Sequence, residues 1–154
     1  MFGVVAGLLF EPPAIPIDPT VSTGQSVGFF PTRNVFVAGL LVLGGLTFGA
    51  LTVVTLAFNG FILGYVLSSA GGDIVPSLLL IAPHGVIEFP AFLLAGTAGL
   101  VLPHELWRYL DGAGDRLPGT AVLWTTLRLF GLSCLLLAVA AVVEATVTPA
   151  VAGA

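Results

Sequence analysis

A long uncharged run is the feature that most limits how this chain can fold. Residues 34–58 contain no charged side chain, and they exceed the about 20 apolar residues that a helix needs to cross a bilayer. Two later runs, residues 85–102 and 120–144, are nearly as apolar. Only 8% of the residues are charged, against roughly 25% in a soluble domain. The sequence therefore predicts an integral membrane protein.

The apolar runs and the breaks between them predict an all-α fold, a polytopic transmembrane helix bundle of about four to five spans. Residues 1–33 are predicted to form a partial helix and a Pro-rich external loop, residues 34–149 the transmembrane helical domain, and residues 150–154 a short tail. A turn is expected at Asn59-Gly60. Residues 74–82 are too short to cross and end at a proline, so we expect a broken or re-entrant segment before His84.

A histidine and a carboxylate interrupt the apolar surroundings. His84 and Glu88 are four residues apart, and in a helix they share one face. Ala91, Ala95 and Gly99 continue that face, and small residues of this kind fit against another helix. Because polar groups are expensive at membrane depth, the pair is expected to face protein or a cavity.

Three interpretations of the polar pair are open. In the first, which we favour, the pair locks helices together. In the second it serves a proton or ion path, since histidine titrates near neutral pH, and in the third it belongs to a metal site. His84 and Glu88 are only two ligands, whereas zinc has three or four, and Asn34, Asn59 or Glu144 would have to complete the set. No metal and no cofactor is therefore predicted.

Glycine pairs predict where helices approach closely. Gly45 and Gly49 form a GxxxG pattern within the first apolar run, and Gly60 and Gly64 form a second one. Such pairs let two backbones come together. We expect packing within the chain, with a homodimer through the same face as the alternative.

The charged residues predict how the chain is oriented in the membrane, and they argue against nucleic acid as a partner. The chain has no lysine, and its net charge of −4 leaves no basic patch for nucleic acid. Most of the arginines lie in or near residues 103–119, so the positive-inside rule places that loop in the cytoplasm and the C-terminus outside the cell membrane.

Four short runs carry a family resemblance. They are Asn59-Gly60-Phe61-Ile62-Leu63-Gly64, Pro83-His84-Gly85-Val86-Ile87-Glu88, Ala95-Gly96-Thr97-Ala98-Gly99 and Val143-Glu144-Ala145-Thr146-Val147-Thr148-Pro149. Over residues 34–149 the chain resembles the stage II sporulation protein M family. The resemblance implies a membrane protein of about five spans, and in spore-forming bacteria a membrane anchor that works with cell-wall hydrolases. This chain departs from the pattern at its start, where the first span is abbreviated.

The resemblance and the residues together favour a non-enzymatic scaffold that recruits membrane or surface proteins. No zinc-protease HExxH pattern is present, and no serine has a recognisable nucleophile context. The alternative is a transport or channel component that uses His84 and Glu88 at a broken helix, because discontinuous helices often build sites at membrane depth. An intramembrane enzyme that uses the same pair is a third hypothesis.

Overall fold

Four α-helices and one 3-10 turn make up the fold in the computed structural model, which describes residues 29–68, 75–114 and 116–152. The predicted partial helix and most of the Pro-rich loop lie outside these residues. The helices are α1 (Phe29–Leu43), α2 (Ala50–Ser68), α3 (Val75–Leu110) and α4 (Thr120–Ala152), and the 3-10 turn is Gly44–Thr47.

The lengths and composition of the helices confirm an all-α membrane bundle. Three segments are long and apolar enough to cross a bilayer, namely Ala50–Ser68, Ile81–Leu110 and Thr120–Val147. Thr32–Thr47 is a shorter apolar helix. The described part of the chain therefore contains three spans and one helix that is too short to be counted with them.

The predicted first span, residues 34–58, is wrong as a continuous helix. The chain reverses after the 3-10 turn through two residues with positive φ, Phe48 at 52° and Gly49 at 84°. The N–H of Gly49 donates to the carbonyl of Gly44 at 2.8 Å, and the N–H of Leu51 donates to the Thr47 hydroxyl at 3.0 Å as α2 begins. Gly45 and Gly49 therefore do not share a helical face, because a GxxxG face requires helix throughout.

The predicted break before His84 is also absent. Helix α3 runs without interruption from Val75 to Leu110, with Pro83, Pro90 and Pro103 inside it. A proline removes one backbone hydrogen bond, but membrane helices tolerate this where neighbouring helices and local adjustments satisfy the freed groups.

Three other predicted helix boundaries differ from those in the structure. Asn59-Gly60 lies inside α2 and forms no turn, since a single glycine weakens a helix without ending it. The loop predicted for residues 103–119 begins only after Leu110, and α4 continues past Pro149 to Ala152.

Small residues and hydroxyl groups hold the helices close together. Helix α3 packs antiparallel on α4, where the buried Ser133 hydroxyl donates to the carbonyl of Ala91 at 2.8 Å. Helix α1 crosses α3 at Gly99, at which a Cβ atom would lie 1.9 Å from the carbonyl oxygen of Leu41. The buried Thr52 of α2 donates to the same carbonyl at 2.8 Å. These contacts fix α1 and α2 against the centre of α3.

Candidate functional site

A hydrogen bond between two helices forms the centre of the candidate site. The side-chain amide of Asn34, in the second turn of α1, donates to Oε1 of Glu88 in α3. Both side chains are half-buried by protein, and Glu88 lies inside the span Ile81–Leu110. The contact joins residues 54 positions apart, so it depends on the packing of α1 along α3.

Two charged groups on other helices act on Glu88. They are the half-buried Glu144 of α4 and the exposed Arg33 of α1, whose opposite charges both reach Glu88. Glu144 belongs to the span Thr120–Val147. Arg33, Asn34, Glu88 and Glu144 are called the polar cluster below; they belong to three helices, and Glu88 and Glu144 lie within candidate spans.

His84 and Asn59, the other polar residues predicted for the site, lie at different places relative to the polar cluster. His84 lies half-buried one turn before Glu88 on α3. The side chain of Asn59 donates to the carbonyl of Thr55 in its own helix at 2.8 Å, so this hydrogen bond is local and does not reach Glu88. Within residues 29–68, 75–114 and 116–152, no group of three or more His, Cys, Asp and Glu side chains is placed to hold a metal ion.

The other residues singled out by sequence are spread over the bundle. Gly64 is buried on α2 and Gly60 is half-buried there, while Pro83 lies inside α3. A Cβ atom at Gly85 would lie 3.2 Å from the Ile81 side chain. Pro149 lies within α4, but its side chain is outside the described residues.

The residues predicted to pack helices divide into two groups. Ala91 and Ala95 are fully buried and Gly99 is buried against Leu41, so the small-residue face of α3 is used inside the bundle. Gly45 instead lies in the 3-10 turn and Gly49 in the chain reversal that follows it. Both approach α3 closely: a Cβ atom would lie 3.1 Å from the Gly99 carbonyl oxygen at Gly45 and 2.6 Å from Leu100 at Gly49.

The sequence patterns do not single out Arg33 as a site residue, because an arginine beside an apolar run bears first on membrane orientation. The signal that could have found it is its position beside Asn34, at the start of a long uncharged run. A charge that adjoins a polar residue at a helix start is well placed to meet a buried carboxylate.

One groove among the described residues lies away from the polar cluster. It has a volume of about 290 Å³ and is an open apolar groove between the 3-10 turn, the end of α3 and the start of α4, with Gly45, Leu102 and Val122 among its lining residues. Because no member of the polar cluster lines it, we place the candidate site at the charged residues and not in the groove.

The fold and the polar cluster together define a polytopic helical membrane protein with ionisable groups inside its bundle. Residues 3–149 match the model of the family described as Stage II sporulation protein M. The chain belongs to this family.

Two curated relatives come from the archaeon Methanocaldococcus jannaschii, and both carry the description of uncharacterized proteins. One is 33% identical over 124 residues, which cover 79% of this chain and 70% of the relative. The other is 32% identical over 102 residues, which cover 65% of this chain and 47% of the relative. The chain thus spans about half the length of the second relative. No solved structure matches the chain.

Proposed function

We propose that the protein is a non-enzymatic membrane scaffold that recruits partner proteins at the cell membrane through an outward face of α4. One observation carries the proposal. Gly131, Ala138 and Ala145 are spaced seven residues apart and all are exposed, with the exposed Leu135 and Val142 between them. This set is called the α4 seam below.

The α4 seam differs from the small residues that hold the bundle together. Ala91, Ala95 and Ala140 are fully buried between helices, whereas a Cβ atom added at Gly131 would meet no atom within 4 Å. Alternating small and large residues at a heptad spacing offer holes and knobs to a partner helix. A helix from another protein is therefore the occupant that we propose.

The charge on the seam favours a different partner over a second copy. Arg128 is exposed three residues before Gly131, so it continues the same heptad pattern. Two copies in one membrane have the same orientation, and a symmetric pairing through α4 would bring two Arg128 guanidinium groups together. Like charges in facing positions are unfavourable, and a partner of different sequence avoids them.

Paired substitutions test the scaffold proposal. Ala138→Leu fills a hole of the seam, and Ala57→Leu makes the same change at an exposed position of α2. We expect both variants to keep the thermal stability of the parent in detergent, but only Ala138→Leu to lose membrane proteins that co-purify from native membranes. Identical partner sets for the two variants would contradict the proposal. A covalent dimer formed through Ala138→Cys in a Cys134→Ala background would contradict the preference for a different partner.

A transport component is the second candidate function, and the polar cluster is the observation that favours it. Ionisable residues within membrane spans commonly mark ion or proton pathways. Purified protein in liposomes with an internal pH dye tests this function. We expect a transport role to give a proton flux that Glu88→Gln abolishes, whereas a scaffold gives none.

A further inference from the structure

Arg128 is a charged residue on the outer side of the bundle. It belongs to the candidate span Thr120–Val147, and its side chain is exposed. The Thr126 hydroxyl donates to the carbonyl of Ala98 at 3.4 Å, and because α3 and α4 run antiparallel, this register places Arg128 level with Gly96. Gly96 lies near the middle of the candidate span of α3, so the arginine is attached well inside the height of the bundle.

The guanidinium of Arg128 has no counter-charge in the part of the chain that the structure describes. Arg108, by contrast, lies 3.7 Å from the carboxylate of Glu105. Among the described residues the side chain of Arg128 forms neither an ion pair nor a hydrogen bond. A charged side chain within a span is expensive, and such residues almost always pair with another polar group. The acceptor for Arg128 therefore has to come from another molecule.

We propose that the partner helix on the α4 seam carries an aspartate or glutamate that pairs with Arg128. Gly131 follows Arg128 by one turn, and because a Cβ atom added there would meet no atom within 4 Å, a helix can approach closely beside the guanidinium. Arginine binds a carboxylate through two parallel N–H groups. This inference rests on the proposed scaffold function and adds the chemistry of the partner. A phospholipid phosphate at the membrane surface is the competing acceptor.

Two synthetic peptides test the charge pair in the intact protein. Each is a leucine–alanine helix of about 20 residues, long enough to cross a bilayer, and carries either Glu or Gln at the depth of Arg128. The protein and a dansyl-labelled peptide are reconstituted in phosphatidylcholine vesicles at pH 8. Binding is followed by energy transfer from Trp107 and Trp124, the two tryptophans of the chain. We expect the Glu peptide to bind about tenfold or more tightly than the Gln peptide.

Arginine variants assign the preference to Arg128. Arg128→Gln should bind the two peptides equally, and because the side chain is exposed, this variant should keep the melting temperature of the parent protein. Arg116→Gln is the matched control, since it removes the same charge from the loop between α3 and α4, and it should keep the preference. A preference for the Glu peptide that survives in Arg128→Gln would overturn the proposal.

Ala138→Leu separates failure of this inference from failure of the scaffold proposal, because it fills the α4 seam without changing its charge. If the parent protein binds both peptides equally and Ala138→Leu weakens both, the seam docks a helix but lipid phosphate satisfies Arg128, and the acidic partner is wrong. If neither peptide binds the parent protein, both proposals are wrong. A preference for the Glu peptide that Arg128→Gln removes supports both.

Discussion

At the scale of single residues, the bundle uses polar side chains as connections between specific helices. Asn34 joins α1 to Glu88 of α3, Thr52 joins α2 to the carbonyl of Leu41, and Ser133 joins α4 to the carbonyl of Ala91. Helices in a bilayer gain little from the hydrophobic effect when they associate, so such contacts and close packing decide which helices pair.

A double-mutant cycle measures the connection between Asn34 and Glu88. We expect Asn34→Ala and Glu88→Ala to show a coupling of roughly 0.6–1.7 kcal/mol in the free energy of unfolding, between the average and the maximum measured for hydrogen bonds between membrane helices. Stability is followed by denaturant unfolding in mixed micelles. Asn59→Ala combined with Glu88→Ala is the matched control, because Asn59 bonds to Thr55, and its effects should simply add. Coupling of equal size in both cycles would refute the assigned contact.

At the scale of elements, the chain reversal after Leu43 determines how α1 and α2 meet α3. The reversal allows Thr52 and Gly99 to lie against the last turn of α1, where the Leu41 carbonyl accepts a hydrogen bond from the Thr52 hydroxyl. Helix ends leave such carbonyls unsatisfied, and Thr52 supplies the missing hydrogen bond. Tertiary contacts therefore stabilise the break between α1 and α2.

Gly99→Ala should destabilise the bundle because the added methyl group would lie 1.9 Å from the Leu41 carbonyl oxygen. Overpacking of a core usually costs about 1–3 kcal/mol, and we expect a loss at the upper end because backbone must move. Gly39→Ala is the control: nothing lies within 4 Å of its added atom, so its melting temperature in detergent should be unchanged or higher. Equal melting temperatures for the two variants would show that α1 does not cross α3 at Gly99.

At the scale of the whole molecule, one end of the bundle collects arginine and tryptophan. Trp107 and Trp124 are both exposed, at the end of α3 and the start of α4, and Arg108, Arg116 and Arg128 lie within the same region. Tryptophan is typical of the membrane interface, and arginine of its cytoplasmic side. We therefore expect the α3–α4 loop to face the cytoplasm.

Cysteine labelling in a Cys134→Ala background tests this orientation. Ala113→Cys lies in the α3–α4 loop and Val75→Cys at the opposite end of α3; both positions are exposed. In intact cells an impermeant maleimide should react with Val75→Cys only, and with Ala113→Cys after permeabilisation. The reverse pattern would invert the predicted orientation.

Sequence patterns predicted the helical class, the spans at residues 85–102 and 120–144, and the burial of Ala91, Ala95 and Gly99. These patterns did not predict correctly where the helices begin and end. A proline or an Asn-Gly pair is a local signal, and neighbouring helices override it in α2 and α3. Conversely, the reversal at Gly49 depends on contacts with Leu100 and on the Thr52 hydrogen bond, which join residues far apart in sequence. The proximity of Arg33 and Glu144 to Glu88 likewise depends on tertiary packing.

The short length of α1 has a consequence for how the chain enters the membrane. Over the described residues α1 has 15 residues, fewer than the about 20 that a helix needs to cross a bilayer. Its polar contact, Glu88, is also synthesised 54 residues later than Asn34. We therefore expect α1 to remain at the bilayer surface during translation and to reach its final position only after α3 has been inserted. Helix α1 is synthesised before α3 but would be positioned after it.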